Sequence, residues 1–278
     1  MRALLLGLAL ACLPAGGTRV RIVAVDDAGD TLRLDVPARR VVSLDPTTTE
    51  LLFAIGAGSA LVGRTDACDF PVEARAVPSL GGGIPPTVEA VVAARPDLVL
   101  LYHAAVNAQP AARLRTLGIP LARLRTDRLD AVPRLTRMLG ELTGASRGAD
   151  SVAEAYARDI ARERDASRDT RATPLPVVIV AWTQPLIVLG AGSYVSEAVE
   201  LAGARNIFAD ISMPSAQVTL EAVVDREPRA VIAMDASGVS SLRPEWPVIR
   251  LQESAYNHPG PRMPAAIHAL RARLAAIP

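Results

Sequence analysis

Three of the chain's nine aromatic residues stand where apolar runs end. Tyr102, followed by His103, closes "DLVLLY"; Trp182 closes "PVVIVAW"; Tyr256-x-His258 follows "PVIRL". Flat aromatic rings stack on conjugated rings, and the phenol of Tyr or a neutral imidazole ligates a metal at the centre of one. In a parallel α/β layout ligands sit beyond the C-terminal strand ends, which is where these residues fall. Tyr102, His103, Trp182, Tyr256 and His258 are therefore the candidate ligand-binding residues, and Tyr102, His103 and His258 the candidate metal ligands. The plainer alternative is that Tyr102 and Trp182 cover sheet edges. Of the three histidines, His268 lies inside a helical run, where a surface or packing role is the default.

Catalytic signatures are weak. "GAGSYV" at Gly190 imitates the start of a dinucleotide fingerprint but lacks its third glycine. Gly81 to Gly83 lack the Lys and Ser/Thr of a phosphate loop, and no His-Glu-x-x-His pair exists. The reading is of a protein without catalysis and without a catalytic cofactor.

Two stretches read almost alike and organise the rest: "TVEAVVAARPDLVLLY" from Thr87 and "TLEAVVDREPRAVIAM" from Thr219. "ELLFAIGAG" at Glu50 is likewise echoed by "EAVELAGAR" at Glu197. The offsets differ, which fits two divergent lobes better than a solenoid of fixed period. In both longer echoes a glutamate, Glu89 or Glu221, opens a helix, where the helix dipole favours a carboxylate. Around the echoes, strand and helix patterns alternate, as in a parallel or mixed sheet covered by helices. "VRIVAVDDAGDTLRLD" before them reads as two strands and a tight turn. Thr47 and Glu50 have the spacing of a capping box. Between them the lobes enclose a long amphipathic helix, "SRGADSVAEAYARDIARERDASRDTR", with Val152, Tyr156 and Ile160 on one stripe. The expected fold class is α/β: two Rossmann-like lobes joined by one backbone helix. Residues 18–145 form the first lobe, 146–171 the bridge and 172–278 the second lobe. Facing lobes make a cleft, and domain interfaces are where ligands prefer to bind.

The N-terminus has a positive start and the short apolar run "ALLLGLALA", too short to span a bilayer and typical of an export signal over residues 1–17. Ala9-Leu10-Ala11 fits a signal-peptidase site, while "LALAC" resembles a lipobox that would lipidate Cys12. The expected location is the periplasm or the outer face of the cytoplasmic membrane. Cys68 has no evident partner, so this is no disulfide scaffold. Net charge is +1, and the 30 basic residues, all arginine, are scattered and form no stripe for phosphates. Nucleic acid is not an expected partner.

"RVVSLDPTTTELLFAIGAG", "VGRTDACDFP", "TVEAVVAARPDLVL", "ELAGARNIFAD", "QVTLEAVVDREPRAVI" and "GPRMPAAIHAL" together resemble the substrate-binding proteins of ABC importers that carry cobalamin, haem and iron-siderophores. The likeness spans nearly the whole mature chain and is greatest to the cobalamin-binding branch, through "ARNIFAD", "PSAQVTLEAV" and the terminal "GPR" helix. It implies a monomer that captures a corrinoid between its lobes and delivers it to a dimeric ABC permease. Glu89 and Glu221 resemble the paired glutamates that dock on permease arginines, one per lobe. The chain departs from the branch at three aromatic positions, where it has Ala67, Ser215 and the Gly81–Gly83 run. Haem or a ferric siderophore of the same class stays open on that account, with Tyr102, His103, Tyr256 and His258 as axial candidates. An exported α/β enzyme using His103 or His258 is the remaining alternative.

Overall fold

The computed structural model describes residues 21–169, 173–234, 238–239, 243, 245–251 and 254–277. The expected export signal and Cys12 lie outside the described residues. Chain entry is an antiparallel hairpin, β1 (Ile22–Val25) and β2 (Thr31–Leu34), paired from Ile22↔Leu34 to Val25↔Thr31. Gly29, at φ +83°, supplies the left-handed residue its turn requires. Asp26 organises that turn: Oδ1 accepts the N–H of Ala28 and of Asp30, both at 2.9 Å.

The first lobe alternates β3 (Val41–Ser43), α1 (Pro46–Ala54), β4 (Leu61–Arg64), α2 (Val88–Ala93), β5 (Leu98–Tyr102), α3 (Ala108–Thr116) and β6 (Leu121–Leu124). Its four strands are parallel in the order β4-β3-β5-β6. Val41, Val42 and Leu98 to Leu101 are almost wholly buried, as continuous apolar strands covered on both faces must be. Asp45, not Thr47, caps α1: its Oδ1 accepts the Thr48 N–H at 2.9 Å, and Pro46 takes the first helical position. The expected capping box does not form, because Glu50 turns its carboxylate to the other lobe.

After α4 (Val132–Thr143), the left-handed Gly144 reverses the chain into α5 (Ser146–Asp169), whose 24 residues run about 36 Å. The second lobe holds β7 (Leu175–Thr183), β8 (Leu186–Leu189), α6 (Tyr194–Leu201), β9 (Ala204–Asn206), β10 (Ser215–Gln217), α7 (Leu220–Val224), β11 (Ala230–Ala233), β12 (Val248–Arg250) and α8 (Met263–Ala275). Its sheet runs β10-β8-β7-β11-β12, with β9 parallel to the first part of β7 and β8 antiparallel to its end. The repeated stretches are topological equivalents. α2 leads into β5, between β3 and β6, and α7 leads into β11, between β7 and β12.

One apolar core runs through both lobes. It joins Leu51 and Leu52 of α1 to Leu135 and Leu139 of α4, Tyr156 and Ile160 of α5, and Ile267 and Leu270 of α8. The far faces of the two sheets have separate cores, under α2 and α3 in one lobe and around Phe208 and Val223 in the other.

Candidate ligand site

The C-terminal strand ends of both sheets face a cleft of about 220 Å³. The first lobe lines it with residues 44–47 after β3, Tyr102 at the end of β5, and Thr126 and Asp127 after β6, together with Ile84. From the second lobe come Tyr194, the first residue of α6, and residues 257–259 beyond β12. A wider depression of about 540 Å³ lies between the hairpin and α4, away from the strand ends. Its arginines are already engaged, Arg134 with Asp27 (2.8 Å) and Arg137 with Asp150 (3.5 Å).

Acceptors dominate the cleft's polar wall. Asp45 is buried, its Oδ1 held by the Thr48 N–H and its Oδ2 by the Thr126 hydroxyl at 2.8 Å. Burial pushes its carboxyl upward, outweighing those hydrogen bonds. Tyr102 donates its hydroxyl to Asp127 Oδ2 at 3.1 Å. Burial, and then the charge of Asp127, raise the phenol above its ordinary value. Asp127 Oδ1 and Thr47 Oγ1 are buried and have no hydrogen-bond partner among the described residues. Across the cleft Tyr194 donates to the Tyr256 carbonyl at 2.9 Å, and burial raises its phenol as well.

Beside the cleft the lobes are clasped by charge. Glu50 of α1, with 4% of its side chain exposed, receives His258 Nε2 at 3.0 Å on Oε2. Arg262 binds the same carboxylate bidentately, Nε to Oε1 at 3.0 Å and Nη2 to Oε2 at 2.8 Å. The guanidinium lies 3.6 Å from the centroid of the Phe70 ring and donates to Ser254 Oγ at 2.9 Å. Burial alone would raise Glu50, but the His258 and Arg262 contacts together outweigh it and hold the carboxyl below its ordinary value.

Of the sequence-derived candidates, Tyr102 and His258 meet in the cleft. His103 follows Tyr102 directly; its backbone N–H pairs with Leu124 O at 2.9 Å, and Nδ1 is buried without a partner among the described residues. Trp182 is on the surface at the β7–β8 turn, 49% exposed, with Nε1 donating to Gln184 O at 2.9 Å. Tyr256 departs from expectation: it is 1% exposed and joins the core shared by both lobes. A 3-10 turn over Ser254–Tyr256 carries its ring inward. Glu89 and Glu221 are both exposed in the first turns of α2 and α7. Glu89 pairs with Arg113 at 2.9 Å. Cys68 is free and buried, with Sγ 3.1 Å from Thr65 Oγ1. Among the described residues no group of three or more His, Cys, Asp or Glu side chains is placed to hold a metal ion. Gly144-Ala145-Ser146-Arg147-Gly148 has the letters of a nucleophile elbow, but it joins two helices, not a strand to a helix, so no elbow exists. Sequence reasoning missed Asp45, Thr47, Thr126, Asp127 and the Glu50–Arg262 pair. The strand-end rule that found Tyr102 points equally to Asp127, which follows β6 at the same sheet edge.

Two α/β lobes bridged by one long helix, with a cleft at opposed strand ends, define a binding protein of the helical-backbone type. The chain belongs to the periplasmic binding protein family, which it matches over residues 41–246. It is 32% identical over 248 residues to the vitamin B12-binding protein of Yersinia pestis (strain Pestoides F), covering 87% of this chain and 88% of that one. The vitamin B12-binding protein of Pectobacterium carotovorum subsp. carotovorum (strain PC1) is 30% identical over 246 residues, 86% and 89% of the two chains. Among solved structures, the periplasmic vitamin B12 binding protein BtuF of Vibrio cholerae superposes with a TM-score of 0.76 at 24% identity, over 86% of this chain and 97% of that one. The periplasmic heme-binding protein RhuT from Roseiflexus sp. RS-1 gives 0.76 at 25% identity, over 86% and 98%. Membership makes this an extracytoplasmic binding protein and not a catalyst, with an ABC permease as its partner.

Proposed function

We propose that the protein captures a corrinoid between its lobes and hands it to a dimeric permease. The carrying observation is the cleft at facing strand ends in a chain 30–32% identical to vitamin B12-binding proteins over most of its length. Trp182, exposed at the end of β7, offers an indole face for stacking on the conjugated ring. Glu89 and Glu221, exposed on equivalent helices, serve as the two docking contacts for the permease.

Haem is the second reading, favoured by the RhuT likeness. A tyrosinate ligand to iron must lose its proton, and Tyr102 is pushed the other way by burial and by Asp127. His258 Nε2 is engaged by Glu50, and Tyr256 is in the core. The direct test is a visible-absorption titration of the mature protein with cyanocobalamin, cobinamide and hemin, backed by calorimetry. Saturable binding of a corrinoid, with hemin bound at least ~10-fold more weakly, is the expected result. Binding of hemin alone, with a Soret shift lost in Tyr102→Ala, would overturn the reading.

A further inference from the structure

We infer that Asp127 and Thr47 form an acceptor subsite in the cleft that reads the rim of the ligand, taking primary amide N–H groups and rejecting carboxylates. The inference rests on corrinoid capture and adds what part of the molecule the chain recognises. Thr47 is 1% exposed and lines the cleft, yet its hydroxyl has no partner among the described residues. Buried polar atoms are nearly always hydrogen-bonded, so an unpartnered one facing a binding cleft is a position prepared for the ligand. Asp127 repeats the pattern: Oδ2 accepts a hydrogen bond from the Tyr102 hydroxyl, while the buried Oδ1 accepts none from the described residues.

The sign of the subsite follows from what surrounds it. A hydroxyl donates or accepts, but an ionised carboxylate only accepts. Asp45 beside them has both oxygens occupied and adds acceptor character, not donors. Among the described residues no arginine lines the cleft, and the one basic side chain that does, His258, is bound to Glu50. Arg125, the cation that acts on Tyr102, is exposed and outside the lining. A propionate or other carboxylate brought to Asp127 meets like charge with no counter-ion, whereas an amide N–H completes the missing bond. Corrinoids whose rim bears primary amides fit this wall; porphyrin dicarboxylates and corrinoids with hydrolysed amides do not.

The test compares cyanocobalamin with its monocarboxylic acids, made by mild acid hydrolysis of single side-chain amides, in competition titrations at pH 7. Wild type is expected to bind at least one of the monoacids ~10-fold or more weakly than the parent. Asp127→Asn, which keeps shape but offers N–H donors, should shrink that ratio to within ~3-fold, and Thr47→Val should weaken the parent amide more than the acid. Tyr102→Phe frees Asp127 Oδ2 without removing the charge, so discrimination should persist there; it also controls for general damage to the cleft. Equal affinity for amide and acid forms in wild type and in Asp127→Asn would overturn the subsite and leave corrinoid capture standing. Hemin binding with no corrinoid binding would overturn both.

Discussion

Glu50 is the residue on which the lobe–lobe contact turns. Its carboxylate is nearly out of water, and two partners from the other lobe, His258 and Arg262, arrive on it. Removing one member of such a group leaves the remaining charge buried without compensation, which costs more than the intact pair contributes. Glu50→Ala is therefore expected to destabilise the fold by about 3 kcal/mol, read as a lower urea midpoint, because Arg262 is left over Phe70 without its carboxylate. The pH dependence has a definite sign. The folded carboxyl lies below its ordinary value of 4.5, so its contribution is fully present above that value and is lost as pH falls through the lower, folded one. Asp45 works in the opposite sense: burial raises it, and protonation at low pH relieves the fold of a buried charge. Comparing Glu50→Gln with wild type isolates the first effect. Their stability difference should be flat from pH 7 to about pH 5 and shrink below it; a difference that grows on acidification would sink the assignment.

At the level of elements, α5 is held where side chains are absent. A methyl on Gly148 would overlap the backbone carbonyl of Ile55, the C-cap of α1, and one on Gly140 of α4 would overlap the Ala149 methyl. Backbone cannot step aside as a flexible side chain does, so Gly148→Ala should cost about 2 kcal/mol by thermal or urea unfolding. Gly82→Ala, with open space around the new methyl, should stay within about 0.5 kcal/mol. The short helices α2 and α7 carry a different prediction. Glu89→Ala with Glu221→Ala should cut transport through the reconstituted permease by about 10-fold while leaving ligand affinity unchanged, since rim charges set orientation and encounter rate. Unimpaired transport would remove the docking role. Releasing Glu89 from Arg113 is cheap, because both side chains are exposed. These elements were also the most legible part of the chain. Short continuous apolar runs such as "DLVLLY", alternating with helical patterns, read as buried parallel strands, and the duplicated stretch marks equivalent positions in two lobes. The cleft was less legible. Acidic residues after strands are common in ordinary turns, so Asp45 and Asp127 carried no sign of pointing inward. Tyr256 looked like a strand-exit ligand because sequence spacing does not show which way a 3-10 turn rotates a ring. Glu50 had the spacing of a capping box, and the partners that claim it, His258 and Arg262, lie more than 200 residues away.

For the whole molecule the decisive feature is that the lobes are not independent bodies. One apolar core passes from α1 through α4 and α5 to α8, so opening the cleft widely would expose part of that core to water. Polar contacts reinforce it on two sides. Besides the Glu50 clasp, Glu197 of α6 receives Arg128 at 3.5 Å and the Leu129 N–H at 3.4 Å from the first lobe. α5 adds a stiff strut in place of the multi-strand linkers that permit hinge closure. Capture must then proceed by local adjustment at the cleft, whose lining residue Ile84 is exposed, and not by rotation of one lobe onto the other. A chain of this length should have a radius of gyration of about 19 Å. Saturation with corrinoid should change that radius by less than ~0.5 Å in solution scattering, because only side chains and loops at the cleft rearrange. A contraction of more than ~1 Å would mean that the clasp and the shared core yield on binding, and that the permease recognises a closed form absent from the free protein.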